Sequence, residues 1–175
     1  MTDLKGQVQD VTAALQWIFD HIHQYVGDSE QISVTGDSAG AQLAFLVCAA
    51  SANEAYRRSY EITSLSKPIK ALGLTCPVSC LHEMAKSQDE NDKRVDAGTL
   101  WWRTEQSSLW NCSDYADILT DCKELPSIYI LTTKGDQKYY RQSLALHDLM
   151  NRKQIEHVYR EWESNGKQMD LGHVF

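Results

Sequence analysis

The stretch Gln31 to Ala44, QISVTGDSAGAQLA, constrains this chain more than any other. Residues 31–35 (QISVT) are short, β-branched and stopped by Gly36, which is how a buried strand reads. Residues 39–50 (AGAQLAFLVCAA) are small and apolar, and read as a helix. Between them stands Gly36-Asp37-Ser38-Ala39-Gly40, a G-x-S-x-G pentapeptide. A strand that turns into a helix this abruptly strains the central residue and leaves almost no room for side chains two positions to either side. Gly36 and Gly40 answer that need, and Ser38 is left with its hydroxyl at the tip, above the strand's carboxyl end. The helix N-terminus there favours negative charge, as the oxyanion of an acyl transfer requires. A five-residue pattern also arises by chance, but rarely between a strand and a helix.

Composition narrows the partners. The chain has 175 residues, 42% of them hydrophobic, which suits one domain over 1–175 with a real core. A net charge of −7 argues against a nucleic-acid or anionic-membrane partner, since both want a basic face. The basic pairs Arg57-Arg58 and Arg152-Lys153 read as solvated helix faces. No window is apolar for the roughly 18 residues of a membrane span. The first ten residues, MTDLKGQVQD, lack the apolar centre of a signal peptide. Five cysteines (Cys48, Cys76, Cys80, Cys112, Cys122) have no disulfide-framework spacing, so reduced thiols in a cytoplasmic protein are the expectation.

Residues 8–26 place Val8, Val11, Leu15, Ile18 and Ile22 at helical spacing, with Asp10 or Thr12 as a candidate cap. Residues 52–64 read as a short helical or irregular piece. Residues 69–75 (IKALGLT) read as a buried strand stopped at Cys76-Pro77. Residues 81–124 are the least regular part, a surface loop or helical excursion over the active face whose tryptophans (Trp101, Trp102, Trp110) either line an acyl pocket or pack the excursion onto the body. Residues 127–133 (SIYILTT) are a strong strand signal, 134–136 a turn, 138–152 a helix and 155–161 a strand. Strands alternating with helices define an α/β chain, a mostly parallel sheet with helices on both faces. Ligands of such sheets bind beyond the carboxyl ends of the strands. Ser38, Asp136 and His173 each follow an expected strand and should converge on that edge.

A serine hydroxyl needs a general base, and the base needs a carboxylate to orient it. Asp136 fits the acid, with an ordinary turn aspartate beside Gly135 as its plain alternative. Asp117, Asp121 and Glu124 precede the strand and belong to its wrong end. His173 fits the base, in a loop after the last strand; His82 is the reserve. His21, His23 and His147 lie on expected helices and His157 inside a strand. No metal site is expected: His21 and His23 point in different directions from one helix, and Cys76/Cys80 lack a second ligand pair. No cofactor is expected either, since no glycine-rich phosphate loop occurs.

The run from Asp10 through Trp17 to GDSAGAQLA, then LPSIYILTTKGD, then LGHVF, resembles the α/β-hydrolase fold. The resemblance is nearest to the hormone-sensitive-lipase-like carboxylesterases and acetyl esterases. It implies hydrolysis of a small-molecule, short-chain ester through an acyl-enzyme, with Ser38 as nucleophile, His173 as base, Asp136 as its orienter and the Ala39 N–H as an oxyanion donor. An amide or formamide hydrolase, or a peptidase, fits the same triad. The sequence departs from the family in carrying no HGGG-type oxyanion segment before its first helix. Losing an oxyanion donor costs on the order of 10²–10³ in kcat. A sheet reduced to its second half would also leave the strand before Ser38 with an uncovered edge. The chain is then expected either to be a piece of a longer enzyme or to be a short form that assembles with itself or another chain. A weakly active or inactive binding module is the non-enzymatic alternative.

Overall fold

The computed structural model describes residues 3–82, 109–122, 124–137 and 139–162. Four strands form one parallel sheet in chain order: β1 (Ser33–Asp37), β2 (Ala71–Thr75), β3 (Ser127–Thr133) and β4 (His157–Trp162). Parallel neighbours cannot be joined by hairpins, so each connection crosses over and carries helix. Helices α2 (Ala39–Ala52) and α3 (Glu54–Tyr60) lie between β1 and β2. Helix α4 (Tyr115–Asp121) precedes β3, and α5 (Tyr140–Arg152) joins β3 to β4. Helix α1 (Leu4–His21) leads into β1 through a 3-10 turn at Ile22–Tyr25.

The register sorts the strands' side chains onto two unequal faces. Val34, Leu72 and Ile128 stand in one row, and Gly36, Leu74, Ile130 and Tyr159 in the next. Leu72, Leu74, Ile128 and Ile130 on these rows are buried. Helix α5 lies on this face, where His147 stacks on Tyr159. The opposite rows run Thr35–Gly73–Tyr129–Val158 and Thr133–Trp162. There Tyr129 and Val158 are 43% and 45% exposed, and Trp162 is 53% exposed. The expectation of helices on both faces is met among the described residues on one face.

Helix α2 is the centre of the core. Its residues from Ala44 to Ala50 are all buried, which is why it carries no polar stripe. Phe45 stacks on Tyr115 of α4 at 3.8 Å between ring centres, and the Tyr115 hydroxyl donates to Ala41 O at 3.0 Å. The end of the expected excursion is helical: α4 is a core helix with Tyr115, Ile118 and Leu119 buried. Trp110 stacks on His82 at 4.1 Å, as an aromatic packing the excursion onto the body would. Trp101 and Trp102 lie outside the described residues.

Helix α1 begins a turn before the periodicity suggests. Asp3 caps it through Oδ1, which accepts Gly6 N–H at 2.9 Å, and Leu4 and Val8 bury the first turn. Thr12 is no cap; its hydroxyl donates to Val8 O at 2.7 Å within the helix. Asn53 caps α3 by accepting Ala55 N–H at 2.8 Å and Tyr56 N–H at 3.3 Å.

The unequal faces give a paired test in one strand. Ile130→Ala should cost about 2–5 kcal/mol in urea unfolding, the usual loss for a fully buried aliphatic side chain. Tyr129→Ala, one residue away on the open face, should cost about 1 kcal/mol or less. Equal costs would contradict the assignment of faces.

Candidate active site

All four strands run the same way, so the residues after β1, β2 and β3 share one edge of the sheet. β1 ends at Asp37, and the chain enters α2 at Ala39. Ser38 makes the whole turn, with φ 57° and ψ −120°. A non-glycine residue there stores on the order of 1–3 kcal/mol of strain, tolerated only when the surroundings hold it. They do so through the backbone: Ser38 N–H donates to Thr75 O at 3.0 Å. Ser38 O accepts Ala41 N–H at 3.1 Å and Gln42 N–H at 3.3 Å. The hydroxyl makes no capping bond to α2. Ala39 opens the helix, so its N–H is among those that helix geometry leaves without an intrahelical acceptor.

The two glycines of the pentapeptide are not equivalent. A Cβ on Gly36 would stand 2.2 Å from Gly40 O and 2.6 Å from Ala41 N, both rigid backbone. A Cβ on Gly40 would meet nothing within 4 Å. Close packing of strand and helix therefore demands glycine at 36 and not at 40, which corrects the symmetric expectation.

Asp136 lies on the same edge, three residues past the end of β3. It is fully buried, unlike an ordinary turn aspartate. Its N–H donates to Thr133 O at 3.1 Å, its Oδ1 accepts Tyr139 N–H at 3.0 Å and its carbonyl accepts Tyr140 N–H at 3.1 Å. These bonds fix the carboxyl group at the start of α5. Cys76, just past β2, stands between the two positions, fully buried and with φ 43°. Its thiol is pushed up to about 12, first by burial, then by the charge of Asp136 and a hydrogen bond to that carboxylate, and last by the charge of Asp37. Asp37 Oδ1 is itself buried and has no hydrogen-bond partner among the described residues. The cysteine is thus a neutral thiol beside two acids, a neighbour that sequence alone did not single out. A cavity of about 360 Å³, lined by Cys48, Lys67 and Pro126 among others, sits at the opposite end of the sheet, before β2 and β3.

His173 lies outside the described residues. The reserve base, His82, is engaged elsewhere: Nδ1 is 3.2 Å from Asp114 Oδ2 and Nε2 is 2.9 Å from Trp110 O. His21 bonds Trp17 O at 2.7 Å and stacks on the Trp17 ring. His147 and His157 bond each other at 2.7 Å between α5 and β4. No described helix is long and apolar enough to cross a membrane.

A parallel sheet with a strained serine between strand and helix, and a buried acid after the third strand, is the architecture of a hydrolase of the α/β type. The family profile described as the alpha/beta hydrolase fold matches residues 2–170, and the chain belongs to that family. Among solved structures it is similar to esterase B of Lactobacillus rhamnosis, at 22% identity and a TM-score of 0.87, covering 99% of this chain and 54% of that one. The same esterase inhibited by a C4-C4 tributyrin phosphonate matches at 23% identity and a TM-score of 0.85, with the same coverage. The carboxylesterase Cest-2923 of Lactobacillus plantarum matches at 16% identity and a TM-score of 0.68, over 90% of this chain and 53% of that one. The chain spans about half the length of these solved esterases. A comparison with curated protein sequences finds no match.

The difference between the glycines is measurable. Gly36→Ala should destabilise the fold by about 1–3 kcal/mol or more, as overpacking against backbone does. Gly40→Ala should be neutral or stabilise by up to about 1 kcal/mol, since alanine is the better helix residue. Thermal melts of the two variants side by side decide it.

Proposed function

We propose that this chain carries the catalytic serine of a carboxylic-ester hydrolase acting on short acyl chains. The strained backbone of Ser38 between β1 and α2 is the observation that carries the reading. Ser38 attacks the ester carbonyl, and its proton passes to His173. The Ala39 N–H stabilises the tetrahedral oxyanion at the helix N-terminus. Collapse expels the alcohol, which takes that proton, and leaves an acyl-enzyme that water then hydrolyses. Asp136 orients the imidazole and stabilises its charged form without taking the proton itself. Its burial and fixed carboxyl group support that role. The fold likeness to esterases, one of them solved with a tributyrin phosphonate, supports ester over amide as the substrate class.

The reading is tested on the chain itself with p-nitrophenyl butyrate. Ser38→Ala should remove turnover to background, and Asp136→Asn should lower kcat by roughly 10³–10⁴ while the fold survives. A Ser38→Ala variant that kept the parent's rate would sink the assignment.

A further inference from the structure

Away from the serine, the residues flanking 83–108 bring an imidazole and two carboxylates together. His82 Nδ1 stands 3.2 Å from Asp114 Oδ2. One ligand-type atom each from His82, Asp114 and Asp117 lies within 4.8 Å of the other two. Asp114 is 4% exposed, and the other two are partly buried.

The tautomer of His82 is fixed by its surroundings. Its Nε2 is 2.9 Å from Trp110 O, and a carbonyl only accepts, so Nε2 carries the hydrogen. In the neutral ring, Nδ1 is then a bare lone pair facing a carboxylate oxygen, two acceptors with nothing between them. A proton on either partner, or a metal ion, must sit between them. Asp117 favours the metal. Its Oδ2 is buried and has no hydrogen-bond partner among the described residues. No described lysine or arginine pairs with Asp114 or Asp117. One proton between His82 and Asp114 would therefore leave Asp117 Oδ2 without a partner, whereas a divalent ion gives it one.

The supporting bonds are already made. Asp114 Oδ1 accepts Leu81 N–H at 2.6 Å and His82 N–H at 3.2 Å, which turns Oδ2 toward the imidazole. The other neighbour of Oδ2 is the Cys80 thiol, at 3.3 Å. An imidazole whose far N–H donates to a backbone carbonyl is the usual state of a metal-bound histidine.

We propose that His82 Nδ1, Asp114 Oδ2 and Asp117 Oδ2 form a site for one divalent transition-metal ion of the zinc type. One nitrogen and two oxygens suit such an ion better than calcium or magnesium, which prefer all-oxygen shells. Bonds of about 2 Å put ligand atoms some 3–4 Å apart, so a shift of about 1 Å by Asp117 closes the set. The ligands come from both sides of residues 83–108, and an ion there clips the two ends of that stretch together.

The test is calorimetric titration of ZnCl₂ into the chelator-treated chain. One ion per chain is expected, with affinity at least about tenfold weaker in Asp117→Asn and unchanged in His147→Ala. Asp117→Asn removes no side-chain hydrogen bond, so the metal-free variant should melt with the parent. Cobalt(II) should give a nitrogen- and oxygen-ligand spectrum without thiolate charge transfer. No zinc uptake, equal affinity in Asp117→Asn, loss of binding in His147→Ala instead, or a thiolate band would each overturn the site. The cluster would then be a hydrogen-bonded His82–Asp114 pair with Asp117 beside it.

Discussion

The structure depends on one close approach, the contact between the end of β1 and the first turn of α2. With 2.2 Å between a Gly36 Cβ and Gly40 O, strand and helix are as near as backbones come. That nearness forces the turn into one residue and puts Ser38 at φ 57°. The strain is held by bonds on both sides, from Thr75 of the next strand and from the first-turn amides of α2. A residue so held cannot relax without moving the sheet or the helix. The serine's position is thus a property of the core, since α2 is buried along most of its length.

The same sheet explains why the acid arrives at the same edge. Parallel pairing sends the ends of β1, β2 and β3 in one direction, and Asp136 follows β3 through a turn closed by Thr133 O. Cys76 stands between them, fully buried, with its neutral thiol against the Asp136 carboxyl group. The uneven cover of the two faces sits beside a chain that spans about half the length of the esterases it matches.

Local signals explain which parts of this were legible in the sequence. SIYILTT is a strand because β-branched and aromatic residues alternate there behind a proline, and β3 spans those seven residues. The G-x-S-x-G turn reads directly because its requirement is steric and lies within five residues. The first turn of α1 did not read, since Lys5, Gly6 and Gln7 hide the spacing of Leu4 and Val8. α4 was obscured by its place at the end of a charged, irregular stretch; its burial comes from Phe45 and Ala41, about 70 positions earlier. The cluster of His82, Asp114 and Asp117 was invisible for the same reason, since His82 lies 32 positions before Asp114. Asp136 could be named as a turn acid, but only the fold shows that it is buried.

Ser38, held in its strained turn, is proposed as an activated nucleophile. Intact-mass analysis after exposure to a fluorophosphonate, with Ser38→Ala alongside, tests it most directly. One adduct per chain, mapped to Ser38 and absent from the variant, is the predicted result. A folded chain that takes up no label, or one labelled equally when Ser38 is alanine, would contradict it.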